Sequence, residues 1–122
     1  MNPLKWLYAN PRAGWLLVLA YASAKFYFSS IPGKQMPAGI APLSTILHVL
    51  EYFGFGLLLL PAVKSTGRGR YFMLSLLFLS LYAASDEFHQ SFVPGRFMDS
   101  VDWLSDCVGG LLGFFLCERS LN

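Results

Sequence analysis

Of the acidic residues in this sequence, only Glu118 stands clear of a long apolar stretch; Glu51, Asp86, Glu87, Asp99, Asp102 and Asp106 lie inside or beside one. A carboxylate in such surroundings is costly unless a proton, a cation or a hydrogen-bond donor compensates it, so its presence points to function. His48, His89, Gln90 and Arg96 stand at the same borders. Carboxylates beside imidazoles exchange protons with a substrate or chelate a divalent cation, and a guanidinium with a carboxamide grips a phosphate or sugar head group. No nucleophile elbow, zincin helix or P-loop is present, so no motif selects one reaction.

Residues three or four apart share a helical face. His48 and Glu51 therefore share one, with Tyr52 beside them. Asp99, Asp102, Asp106, Gly109 and Gly113 make a second stripe, acidic at its start and small further on, which should face the interior of a bundle. Gly109 to Gly113 is also a G-x-x-x-G pattern, which admits a second backbone and offers a surface for a homodimer. Cys107 and Cys117 lie ten positions apart, about 15 Å along one helix, and read as small apolar filler rather than a disulfide or metal pair.

The elements that carry these residues follow from composition. The 122 residues are 55% hydrophobic, 16% aromatic and 13% charged, half the charge of an ordinary soluble domain. A formal charge of +2 gives no reason to expect nucleic acid as a partner. The run YFMLSLLFLSLYAAS, from Tyr71 to Ser85, is apolar on every side of a helix, which suits lipid rather than the surface of a soluble bundle. Read the same way, the chain is one all-α domain, an integral membrane bundle of four transmembrane helices over about 13–29, 43–63, 70–88 and 99–117. Ile31-Pro32-Gly33 with Pro37, Gly39 and Pro42, then residues 64–69, then Val93-Pro94-Gly95-Arg96 punctuate the connections.

Lys5, Arg12, Lys64, Arg68, Arg70 and Arg119 fall on one side of this arrangement, against Lys25, Lys34 and Arg96 on the other. The bias places both termini in the cytoplasm and the protein in the inner (cytoplasmic) membrane. Lys25, near its helix end, is expected to snorkel outward. Ala22-Ser23-Ala24 resembles a signal-peptidase site, but Phe26, Tyr27 and Phe28 continue the apolar run and favour a retained helix. His48 then lies about 8 Å and Glu51 about 12 Å below the outer surface, and Asp102 and Asp106 about 5 and 11 Å. Asp86 and Glu87 end the third span at the same level.

These groups should converge on an acidic pocket open to the outside, compensated by Arg96, by a divalent cation or by protonation. Plainer roles stand beside that one. Asp99 reads most simply as a helix cap, Arg96 either pairs with Asp86 or Glu87 across the hairpin or grips an anion, and His89 suits the interface.

The run Asp86-Glu87-Phe88-His89-Gln90-Ser91-Phe92-Val93-Pro94-Gly95-Arg96, followed by Asp102, Asp106, Gly109 and Gly113, resembles the hallmark of the VanZ-like membrane protein family. His48-x-x-Glu51-Tyr52 with Gly56, and Ser29-Ser30-x-Pro32, extend the likeness over most of the chain. The resemblance implies a small multi-pass protein of a family named for an accessory factor that raises tolerance to the glycopeptide teicoplanin. It also implies His48, Glu51, Asp86, Glu87, Gln90, Arg96, Asp102 and Asp106 as signature polar positions. Asp106 stands where the pattern often has Asn, and Asp99 is an additional acid.

Two functions fit. In the first, an accessory protein engages a membrane lipid, a lipid-linked envelope precursor or an amphiphilic antibiotic, with Gln90, Arg96, Tyr52 and His89 on the head group. Asp86, Glu87, Asp102 and Asp106 would organise a divalent cation. In the second, a membrane-embedded hydrolase or transferase uses Glu51 or the Asp86/Glu87 pair as general base, His48 or His89 as proton partner and a divalent ion as electrophile on a lipid head group. The first is preferred, because no catalytic motif supports the second.

Overall fold

Two Asn-Pro dipeptides punctuate the N-terminal stretch. In the computed structural model, which describes residues 1–39 and 43–122, each starts a helix: α1 (Pro3–Ala9) after Asn2, and α2 (Pro11–Ser29) after Asn10. Proline at the first helical position forfeits no intrahelical bond, and Asn2 Oδ1 accepts from the Leu4 N–H at 2.9 Å. Hydropathy alone does not announce α1, which buries only Leu7. A 3-10 turn (Gly33–Gln35), α3 (Ser44–Lys64), α4 (Tyr71–Gln90) and α5 (Ser100–Leu121) complete an all-helical chain with no strand among the described residues.

The long helices, of 19, 21, 20 and 22 residues, occupy the stretches expected as spans. By length and composition α3 and α5 are apolar enough to cross a membrane. Asp99 is not the first turn of α5 but its cap, accepting from the Val101 N–H at 2.8 Å. The helix also outruns residue 117, since Glu118 to Leu121 contain no breaker. Pro42, expected in the first connection, lies outside the described residues.

Successive long helices alternate in direction. At one end Lys64 Nζ meets Glu118 Oε1 at 3.2 Å, the Tyr71 hydroxyl donates to Glu118 Oε2 at 3.1 Å, and Asn2 reaches the Ser120 carbonyl at 3.4 Å. At the other end the Gly33 N–H donates to the Pro94 carbonyl at 2.9 Å, tying the turn after α2 to the α4–α5 hairpin. A Cβ on Gly33 would overlap the Gly95 carbonyl, and Gly95 itself has φ +75°, so this crossing requires both glycines.

Helix α3 is the central element, with Tyr52, Phe55, Leu59 and Leu60 fully buried. It packs most closely on α5, backbone against backbone. A Cβ on Gly109 would overlap the Val49 carbonyl, one on Gly113 would lie 2.5 Å from the Phe53 oxygen, and one on Gly56 2.6 Å from the Gly110 oxygen. The G-x-x-x-G stripe faces the interior as expected, but the surface assigned to a homodimer is occupied by α3 of the same chain. Leu79 of α4 wedges against Gly110, while Trp103 Nε1 donates to the Ser80 carbonyl at 3.1 Å and joins α5 to α4. Cys117 is buried and Cys107 half-buried, both as free thiols.

Because these glycines leave no room for a side chain, Gly113→Val should lower stability by about 1–3 kcal/mol through overpacking. Gly69→Ala, where nothing lies within 4 Å, should leave it unchanged. Thermal or SDS unfolding midpoints in detergent would separate the two.

Candidate functional site

The polar residues singled out in the sequence gather at the end of the bundle where the hairpin meets the 3-10 turn. Helix α2 contributes Lys25 and Ser29 with Ser30 as its C-cap, α3 contributes His48, Glu51 and Tyr52, and α4 contributes Asp86, Glu87, His89 and Gln90. The hairpin adds Arg96, and α5 adds Asp102 and Asp106.

His48 is the hub. Its Nδ1 lies 2.6 Å from Asp106 Oδ1, a fully buried carboxylate, and its Nε2 lies 3.6 Å from Asp102 Oδ2. The hydrogen bond is possible because the adjacent contact of Val49 with Gly109 brings the two helix backbones together. One ligand atom from each of His48, Glu87 and Asp102 falls within 4.8 Å of the others, so three helices supply one cluster. Glu87 is also fastened to the start of α5, where Oε2 accepts from the Asp99 N–H at 3.1 Å.

Asp86, next to Glu87, turns another way. Ser29 Oγ donates to its Oδ1 at 2.6 Å, and Gln90 Nε2 approaches the same hydroxyl at 3.4 Å. Asp86 is thus held with α2 rather than in the His48 cluster, although the sequence grouped it with Glu87, Asp102 and Asp106 as cation ligands. Glu51 also departs from expectation: it shares a face with His48 but takes Lys25 as partner, Nζ to Oε2 at 2.5 Å. Lys25 does not snorkel outward. It is 8% exposed and also sits 4.6 Å from the centroid of the Tyr52 ring.

Lys25 and Ser29 are among the residues that the sequence alone did not place in the site. The available signal was their spacing of four on one face of an apolar helix, which aims both at the same neighbours. Tyr52 is a core side chain with no exposed surface. His89 stacks on Phe26, with centroids 4.3 Å apart, and its Nε2 lies 2.9 Å from Ser30 Oγ, at the edge of the site.

Arg96 makes no ion pair with Asp86 or Glu87. Its Nη1 donates to the Ile31 carbonyl at 3.3 Å, and among the described residues no carboxylate lies within 4 Å of its guanidinium. It lines two adjoining hollows. One, of about 310 Å³, lies between α2 and α3 and mixes Tyr21, Phe28 and Leu47 with Lys25, Glu51 and Gln90. The other, of about 460 Å³, reaches the end of the bundle past Phe97, Asp99 and Asp102. His48, Ser44, Met36, Gln90 and Arg96 line both. The hollows thus form one amphiphilic cleft with Arg96 and His48 where they meet.

A family model described as VanZ/LLP1 matches residues 4–121. The chain belongs to the VanZ-like family. No curated protein and no solved structure matches it. Family membership and the two long apolar helices make this VanZ-like chain a membrane protein.

The buried Ser29–Asp86 bond yields a direct test within the VanZ-like site. Ser29→Ala leaves Asp86, 3% exposed, without its closest donor and should cost about 1–3 kcal/mol. Ser91→Ala, at an exposed hydroxyl bonded only to the Phe88 carbonyl, should change stability by less than about 0.5 kcal/mol. Unfolding midpoints of the two variants measure the difference.

Proposed function

We propose that this VanZ-like protein crosses the inner membrane four times with both termini in the cytoplasm. Its outward cleft would hold the anionic head group of an amphiphilic envelope lipid while the tail leaves between α2 and α3. The observation that carries the reading is Arg96, a guanidinium in an acid-rich cleft that is bonded to a carbonyl and paired with no carboxylate among the described residues. Such a group offers a forked donor to a phosphate or carboxylate.

Several further features support the arrangement. Large apolar side chains stand exposed on the outer face of every long helix, among them Leu16 and Leu19, Ile46 and Leu50, Leu77 and Leu81, Leu112 and Phe115. Water would not tolerate so broad an apolar belt on a monomer, whereas lipid requires one. Basic residues concentrate at the end that carries Lys64, Arg119 and the N-terminal residues, opposite the cleft. The mixed lining of the lateral hollow suits an acyl or polyprenyl chain next to a polar head. Teicoplanin tolerance, to which the family name refers, would follow from occupancy of this cleft by a lipid-linked precursor or by the lipoglycopeptide itself.

Native mass spectrometry of the purified protein with a polyprenyl phosphate tests the ligand. Arg96→Gln should weaken binding at least about tenfold through loss of a charge-assisted contact. Lys34→Gln, which removes a charge on the same side, should bind as the wild type does. Equal affinity in Arg96→Gln removes the reading. A C-terminal green fluorescent protein fusion should fluoresce, and an alkaline phosphatase inserted after Pro94 should be active; the reverse pattern inverts the topology.

The second reading, a hydrolase or transferase acting on the head group, draws on the His48–Asp106 bond, which orients an imidazole as catalytic dyads do. Glu87→Gln and Asp102→Asn separate the two readings. Lost turnover with retained ligand binding supports catalysis, and lost binding alone supports the accessory role.

A further inference from the structure

We propose that His48, Glu87 and Asp102 bind one divalent first-row metal cation, and that Asp106 acts as a positioning residue for the imidazole. The three side chains come from α3, α4 and α5, and a ligand atom of each lies within 4.8 Å of the other two. Proximity of acidic groups alone would not carry the assignment. Two independent features do.

The first is Glu87. It is 3% exposed, its Oε2 is used by the Asp99 N–H, and its Oε1, like Asp86 Oδ2 and Asp106 Oδ2, has no hydrogen-bond partner among the described residues. A carboxylate oxygen taken out of water and left bare is among the most costly arrangements in a protein interior, and a cation supplies the missing interaction. Among the described residues no lysine or arginine does so: Lys25 is engaged with Glu51 and Arg96 with the Ile31 carbonyl.

The second is the state of His48. The 2.6 Å contact with Asp106 Oδ1 assigns a ring proton to Nδ1, so in the neutral ring the Nε2 lone pair faces the side of Asp102. Asp102 Oδ2 is 3.6 Å from Nε2. That is too long for a hydrogen bond. It is close to the separation of about 3.3 Å between two ligand atoms that sit about 2.0–2.1 Å from one tetrahedral ion. A carboxylate on Nδ1 with the opposite nitrogen turned to other donors is the arrangement that fixes tautomer and ring orientation in histidine-ligated metal sites.

One imidazole nitrogen with two carboxylates favours a transition cation such as Zn²⁺ or Mn²⁺ over Mg²⁺ or Ca²⁺, which prefer oxygen donors throughout. Three protein ligands leave coordination positions open, and His48 and Asp102 both line the hollow that contains Arg96. The cation site stands on the donors of the chain itself and is independent of the lipid reading.

The full chain, purified in detergent and stripped with a chelator, would be titrated with Co²⁺ and followed by its visible absorption. One Co²⁺ per chain is expected, displaced by Zn²⁺. His48→Ala, Glu87→Gln and Asp102→Asn should each weaken binding at least about 100-fold, and Asp106→Asn about 10–100-fold. Glu118→Gln, at the opposite end, should bind as the wild type does. No binding at about 1 mM Co²⁺, or unchanged affinity in any of the three ligand variants, overturns the assignment. Should those variants fail to fold, the wild type still decides. Co²⁺ should protect His48 from diethyl pyrocarbonate and leave His89, the other histidine, reactive; equal modification of His48 with and without Co²⁺ overturns the site.

Discussion

The approach of α3 to α5 is the constraint on which the rest of this molecule depends. Gly56, Gly109 and Gly113 let two helix backbones touch, where side chains would hold them apart. The His48–Asp106 bond sits directly beside the Val49–Gly109 contact and exists only at that separation. Packing and site are therefore a single construction: the glycine ridge that closes the bundle also sets the distance between an imidazole on one helix and two carboxylates on the other.

Around that axis the remaining helices act as braces with polar ends. Tyr21 donates to the Glu51 carbonyl at 2.7 Å and Tyr82 to the Ala22 carbonyl at 2.6 Å, so α2 is fastened to both α3 and α4. These bonds place Lys25 and Ser29 against Glu51 and Asp86. Carboxylates are thereby distributed among distinct partners instead of repelling one another in one cluster: exposed Glu51 to a lysine, and buried Asp86 to a hydroxyl, Asp106 to an imidazole and Glu87 to a backbone amide. Asp86 Oδ2, Glu87 Oε1 and Asp106 Oδ2 remain bare among the described residues, and Glu87 stands with His48 and Asp102 in one cluster.

The cleft has the same division of labour. Arg96 and His48 stand where the two hollows join, and the apolar lining runs outward between α2 and α3. An amphiphile matches such a surface at both ends, since burial of its chain and pairing of its head group are satisfied in adjacent places. Arg96 reaches that junction because the Gly33–Gly95 crossing folds the hairpin back over the end of α2.

Much of this was legible in the residues alone. Apolar runs between Pro and Gly clusters determined the long helices, spacing by three and four determined the faces carrying His48, Asp102 and Asp106, and Asp99 preceding Ser100 determined a cap. The string from Asp86 to Arg96 determined the family. Helical periodicity says which way a residue points on its own element, but not which neighbour stands there. Only the tertiary structure decided that Lys25 turns inward to Glu51, that Asp86 and Glu87 go to different partners, and that Arg96 meets a carbonyl rather than a carboxylate. It likewise decided that Gly109 and Gly113 receive a helix of the same chain. Those outcomes depend on the relative rotation and separation of packed helices, which side-chain volumes at every contact set together and no single segment encodes.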